Sequence, residues 1–545
     1  METGSTTARD QALLRGRLTG RCLVLGLTGS LLFCAQGSWP ARAADRLEVS
    51  IDGVVLPVPV KDLVRWANAE VGNRSELSSW MQLLDLDSQE GLKRLLRAPV
   101  LTRRSFGQQL LRSWAARPLL DALRDLVRFG QGQSMSSEAV LLVLERLLKQ
   151  QPEVSTLDLL QAIPGEQLRL DLDALVQAAE RWRRQIKRHQ ALLDDLGRRT
   201  AEPSSEPGMR TARPVATKAV VPLSVAHRDD PLEVQTWLPR RRRDDGLWLV
   251  LMPGLGGNPE HFHWLAGGLA DAGWPVALLE HPGSDAAAVQ ALLDGRTPFD
   301  GSQALKQRLA DLEAVLTAQA DQRLPVPGQD VVLVGHSLGA LTALLAAGAV
   351  PDAGTDQRCR RALVELPLTN LSRLLQCELA EGRALGAVAS TTAPAAVVGL
   401  NSLGSLFWTQ DGSRRLSMPL LLVGGTLDLI TPPLDEQVAL FSALASHPSS
   451  RVVVVEGASH FSPIRVGEPS AVGAGDDLFQ LGEDLVGVNP FTVQAVIGAE
   501  LIHFLETLSA ESSAPEIDSR HLSNQEVRWH RLNRSLSTEL VDRHQ

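Results

Sequence analysis

The sequence predicts an α/β domain, a mostly parallel sheet with helices on both faces, over residues 217–510, preceded by a small all-helical domain over 44–195. Two observations predict the sheet. Short, continuous apolar runs alternate with helical segments in the second half of the chain, and one of these runs leads straight into a Gly-x-Ser-x-Gly turn and an apolar helix. A third predicts the helical domain: residues 44–195 show apolar spacing of helical period.

Taken in order, residues 1–43 read as a signal peptide. Arg15, Arg17 and Arg21 precede an uncharged apolar stretch from Cys22 to Ala35, and Ala41-Arg42-Ala43 supplies small residues at a cleavage site. The stretch is short for a bilayer span, which needs about 20 apolar residues. Export to a periplasm, lumen or extracellular space is expected. From 44 to 195, Asp87/Glu90 and Ser155/Asp158 are capping pairs ahead of leucines at helical spacing, and Ala139–Leu148 is a further amphipathic run. Residues 196–216, with Pro203, Ser204, Ser205, Pro207, Gly208 and Pro214 among charges, read as a linker. Beyond them, Leu247–Met252, Pro275–Leu279, Asp330–Val334, Ala395–Leu400, Pro419–Val423 and Arg451–Val455 are continuous apolar runs, as strands covered on both faces require. Residues 511–545 are polar and are expected to be disordered or frayed.

Charge narrows the partners. The net charge of −9 gives no broad electrostatic footprint for nucleic acid. Past the signal the cysteines are Cys359 and Cys377, either a disulfide in an oxidising compartment or two buried thiols. No Cys or His group has metal-site spacing: His261 and His263 lie two apart with no further ligand nearby. Neither a metal nor another cofactor is implied.

The chemistry centres on Val331–Val334 followed by Gly335-His336-Ser337-Leu338-Gly339. The bare motif arises by chance about once in four chains of this length. Its context is more specific, because a nucleophile elbow needs serine on a sharp turn between a strand and a helix, with glycines where side chains would collide. A serine hydroxyl then needs a base, and the base an acid, in the order Ser, Asp or Glu, His. Asp428 follows the run Pro419–Val423 and His460 follows Arg451–Val455, both at carboxyl ends of strands, where open α/β sheets build their sites. Ser337, Asp428 and His460 are the predicted triad, with Asp435 as fallback acid. The glycine-rich segment Pro253–Gly257 follows the first strong strand, so the backbone N–H groups of Leu255 and Leu338 are the predicted oxyanion hole, with Gly254 and His336 as candidate pocket residues.

With these motifs in place the chain resembles the exported cyanobacterial α/β-hydrolases that carry an uncharacterised helical domain before a hydrolase domain similar to platelet-activating-factor acetylhydrolase and dienelactone hydrolase. In the hydrolase half the resemblance rests on Pro253–Gly257, His281-Pro282-Gly283-Ser284, Gly335–Gly339, Gly425–Asp428 and Ala458–Ser462. It implies the α/β-hydrolase fold, the same triad and His281 at the pocket rim. Pro253 departs from the histidine that relatives carry there. The expected activity is hydrolysis of a small-molecule or lipid carboxylic ester, with transient membrane-surface contact. Thioesterase or amidase action and a non-catalytic binding role are the alternatives. The leucine-rich segment from Asp352 to Ala393 suits a lid over an acyl pocket.

Overall fold

The computed structural model describes residues 46–544 apart from 52–53, 69–74, 83–85, 98, 103–126, 130–136, 164–166, 205–208, 210–215, 294–295, 366–368, 381–391, 411, 413–414, 465–487, 510–516 and 525. The signal segment lies outside the described residues, as do Leu366 and Leu368 of the expected lid.

The first region is not all-helical. Strands β1 (Arg46–Ile51), β2 (Val54–Pro59), β4 (Val127–Phe129) and β6 (Gln167–Asp171) form a four-stranded sheet, and β3 (Pro99–Thr102) pairs with β5 (Glu153–Ser155). Helices pack beside these strands around a core that includes Leu63, Trp66, Val143, Leu144 and Leu148. The all-helical expectation fails for a physical reason. β1 pairs in parallel with β6 more than a hundred residues later, and no local period encodes such a pairing. β2 carries Pro57 and Pro59, and it pairs only with β1 at an edge of the sheet, where proline is tolerated.

Among the described residues the large sheet has eleven strands. After β7 (Glu202–Pro203), β8 (Thr217–Leu223) and β9 (Leu232–Leu238) come β10 (Leu247–Met252), β11 (Val276–Leu279), β12 (Asp330–His336), β13 (Ala396–Leu400), β14 (Leu420–Gly425) and β15 (Arg451–Val455), then β16 (Arg520–Ser523) and β17 (Arg528–Leu532). Their order is β7-β16-β17-β15-β14-β13-β12-β10-β11-β9-β8. The six runs singled out in the sequence form the parallel centre, β11-β10-β12-β13-β14-β15. Alternate residues of one strand serve opposite faces. Trp248, Val250 and Met252 of β10 enter one core, whereas Leu247, Leu249 and Leu251 enter the other. The helix Pro490–Ser509 is long and apolar enough to cross a membrane by composition. Its Val493, Ile497, Leu501 and Phe504 are buried in the second core.

Two further boundaries move. The polar C-terminus is not frayed where it is described: β17 pairs antiparallel with β15, and the helix Arg534–His544 buries Ser537, Leu540 and Val541. Its charges find distant partners, Arg531 on buried Glu500 at 2.8 Å among them, so composition misjudged it. The helix Leu172–Gly197 crosses the expected domain boundary, since Leu192 and Leu196 belong to the core of the large sheet. Within the expected linker, β7 pairs with β16 and Met209 is buried against the space left by Gly268 and Gly498.

The integration of the C-terminus predicts that Leu532→Ala and Leu540→Ala, both at fully buried positions, each destabilise the protein by about 2–5 kcal/mol in denaturant unfolding. A frayed terminus would give changes within about 0.5 kcal/mol.

Candidate active site

β12 delivers the chain into Ser337, which adopts φ 52° and ψ −117°, and the helix Leu338–Ala346 begins at the next residue. A positive φ at a residue with a Cβ is strained by about 1–3 kcal/mol and persists only where the surroundings enforce it. Here they do. A Cβ on Gly335 would lie 2.2 Å from the backbone of Gly339, and one on Gly339 would lie 2.1 Å from the carbonyl oxygen of Met252. Both glycines are required for the helix to press against the strand ends. The Ser337 N–H donates to the Leu400 carbonyl at 2.9 Å and ties the elbow to β13.

Asp428 follows β14 and is fully buried. One carboxylate oxygen, Oδ1, accepts the N–H groups of Ile430 (2.9 Å) and Thr431 (2.7 Å). The other, Oδ2, accepts Asn401 Nδ2 at 2.7 Å, Thr431 Oγ1 at 2.5 Å and His460 Nδ1 at 2.9 Å. Burial alone would raise its pKa, but His460 and these donors bring it down from 3.8 to about 2. It is therefore a carboxylate at neutral pH and can only accept. His460 must carry its proton on Nδ1, which leaves the lone pair of Nε2 free to act as a base. Asp435, the fallback acid, pairs instead with Arg373, Arg188 and Asn370.

His336 and Gly254 bring the remaining segments together. His336 is buried, its ring lies 4.9 Å from that of His460, and its Nε2 donates to the His460 carbonyl at 3.0 Å. Burial, with His460 adding to it, pushes its pKa down from 6.5 to about 3. A Cβ on Gly254 would lie 3.1 Å from the Ser337 Cβ and 3.0 Å from His336 Nδ1, so the glycine-rich loop abuts the elbow. Among the described residues the N–H groups of Leu255 and Leu338 have no acceptor in the protein.

His281 is not at a pocket rim. It is buried under the same loop, its Nδ1 donating to Asp311 at 2.9 Å, and burial lowers its pKa to about 4. Asp311 also accepts Arg228 through two nitrogens at 2.6 Å each and His227 at 2.8 Å. The neighbouring Arg308 donates to Ser284 Oγ and to the carbonyls of Pro253 and Gly254. Cys359 and Cys377 are buried thiols on adjoining helices and form no disulfide. Leu375 and Leu379, in the segment expected as a lid, lie in that core too. The N–H groups of Leu371 and Ser372 bond the carbonyls of Leu429 and Ile430 in the acid's loop. His261 bonds the N–H of Asn258, and His263 meets Gln235 and Lys218; among the described residues no cluster of His, Cys, Asp and Glu is arranged to hold a metal.

Asn401, Thr431, Arg308 and Asp311 escaped the sequence reading. Asn401 alone left a signal, as the first residue after the run Ala395–Leu400, the same kind of strand end that marked the acid and the histidine.

Residues 249–472, which hold all three triad candidates, match the model of a family described as "Alpha/beta hydrolase family". Residues 43–171 match a second, described as "Alpha/beta hydrolase of unknown function (DUF1400)". The central parallel strands and the elbow agree with the first match, and the fold is that of an α/β hydrolase. No curated protein matches the chain.

The buried, neutral His336 predicts an acid-side loss of stability. Its folded pKa of about 3 lies below the ordinary 6.5. Its contribution is therefore complete above pH 6.5 and is lost as pH falls from there toward 3. Between pH 6 and 4, unfolding free energy should fall more steeply for the parent than for His336→Gln, by up to about 1.4 kcal/mol per pH unit. Parallel curves in urea titrations would count against a neutral, buried imidazole.

Proposed function

We propose that the chain is a serine hydrolase that cleaves carboxylic esters through an acyl-enzyme. The observation that carries the reading is the buried Asp428 carboxylate, which fixes the tautomer of His460 at 2.9 Å, in a site that also holds a serine on a strained elbow. In this mechanism His460 Nε2 takes the proton of the Ser337 hydroxyl as its oxygen attacks the ester carbonyl. The oxyanion takes hydrogen bonds from the free N–H groups of Leu255 and Leu338, and the imidazolium returns the proton to the departing alcohol. Water activated by the same imidazole then releases the acid and frees Ser337. Neither a metal nor an organic cofactor is needed for any of these steps.

The substrate proposed is a small-molecule or lipid ester with an apolar acyl part. Leu427 and Leu429, on either side of Asp428, are 41% and 50% exposed, so the loop of the triad acid presents apolar surface to an acyl chain or a lipid surface. Export on residues 1–43 belongs to the same proposal. The N-terminal sequence of protein recovered from outside the cytoplasm is then expected to start at Ala44.

A fluorophosphonate probe should label the parent and not Ser337→Ala. Asp428→Asn should lower kcat by about 10⁴, the effect of placing imidazole in the wrong tautomer. Equal labelling of Ser337→Ala, or an Asp428→Asn enzyme within about tenfold of the parent, would move the nucleophile or the acid elsewhere.

A further inference from the structure

Arg308 lies on the helix Gly301–Ala320 and is buried beneath the glycine-rich loop. Its guanidinium makes three bonds to two neighbouring segments. Nη1 donates to the Pro253 carbonyl at 2.7 Å, Nη2 to the Gly254 carbonyl at 2.8 Å, and Nε to Ser284 Oγ at 2.8 Å. Ser284 in turn accepts the Gly256 N–H on its own carbonyl at 2.8 Å. One buried cation thus fixes both carbonyls at the start of the loop directly, and its end through Ser284.

A trans peptide unit is planar, with its C=O and N–H pointing in opposite directions. When the carbonyls of Pro253 and Gly254 point at Arg308, the N–H groups of Gly254 and Leu255, which belong to the same two units, must point away from it. The Leu255 N–H then lies on the face of the loop remote from Arg308, without an acceptor in the protein among the described residues. Gly254 is the residue that abuts Ser337. Turning over the unit shared by Gly254 and Leu255 would put the Gly254 carbonyl dipole where the Leu255 N–H now points, where it would repel a developing oxyanion instead of stabilising it.

We infer that Arg308 is a positioning residue: by holding the Pro253 and Gly254 carbonyls, it aims the Leu255 N–H at the oxyanion. This inference rests on the serine-hydrolase reading above. A guanidinium suits the task because its planar fork holds several acceptors in fixed directions, whereas a lysine ammonium is a point charge on a flexible stem. The second buried ionic group, Asp311, sits one turn further along the same helix. It balances the charge while holding His281, His227 and Arg228. Arg308 acts on the loop and on Ser284, and the inference gives it no contact with the substrate, so its loss should be felt in the transition state rather than in substrate binding.

The test uses the full chain with Arg308→Lys and Arg308→Gln, a p-nitrophenyl ester as substrate, and a trifluoromethyl ketone, which adds the serine oxygen to its carbonyl and forms a tetrahedral oxyanion. Both variants are expected to lower kcat by about tenfold to a hundredfold, up to the cost of a misplaced group and below the thousandfold that a lost oxyanion donor can reach, with KM within about threefold. Ketone affinity should weaken by the same factor as kcat/KM, while the matching methyl ketone binds as before. A role confined to stability would lower the melting temperature and leave the ratio of the two ketone affinities unchanged. Folded variants that keep this ratio within threefold of the parent, or that raise KM with kcat intact, would overturn the inference. Should neither variant fold, Ser284→Ala removes the acceptor of Nε, the bond that sets the direction in which the planar fork presents Nη1 and Nη2 to the two carbonyls, and an unchanged ketone ratio there overturns the inference. A parent that reacts with neither the ketone nor the fluorophosphonate overturns the serine-hydrolase reading and this inference with it. A reactive parent with unaffected variants overturns only the role of Arg308.

Discussion

The close approach of one helix to the ends of two strands governs the rest of this site. Helix Leu338–Ala346 can begin where it does only because Gly335 and Gly339 lack side chains, and a methyl at the second would collide with the carbonyl of Met252 at 2.1 Å. That contact leaves Ser337 at positive φ immediately before the helix and brings the glycine-rich loop after β10 against the elbow. Strain at one residue is held in place by the tight packing of several.

Two buried carboxylates flank that contact and solve the same electrostatic problem. An ion in an apolar interior is costly unless donors replace its lost hydration. Asp428 has five hydrogen bonds from backbone N–H groups, an amide, a hydroxyl and His460. Asp311 has two histidines and a two-pronged arginine, and its pKa too is held at about 2 against the opposing effect of burial. The chemistry of the two differs through their surroundings. Asp428 orients the imidazole of His460, whereas Asp311 stabilises a cluster of bases around His281. His281 and His460 are thus both histidines on aspartates, but His281 is packed beside Arg308 and Asp311, whereas the ring of His460 lies against His336, the residue before Ser337.

The flanking elements fasten the acid's side of the site. The helix Leu172–Gly197 places His189 Nε2 3.4 Å from the Thr426 carbonyl and Arg188 on the carbonyl of His544 at 2.8 Å, while Arg543 returns to Asp195 at 2.5 Å. The loop of Asp428 therefore meets the helix that starts at the end of the smaller sheet, and the helix Arg534–His544 braces that helix in turn.

What the sequence determined by itself was local. Six continuous apolar runs could be satisfied only by strands covered on both faces, and the strand ends then marked Ser337, Asp428 and His460, because an elbow and its partners need fixed residue types at fixed places on a strand. Tertiary structure decided whatever depended on partners far along the chain. It built the sheet in the first region from a pairing of β1 with β6, folded the polar C-terminus onto β15, and gave Asp428 its donor Asn401. It also placed Arg308 beneath a loop more than fifty residues away. Period and composition report the environment of a residue along its own element, whereas a hydrogen bond between distant segments leaves no period to read.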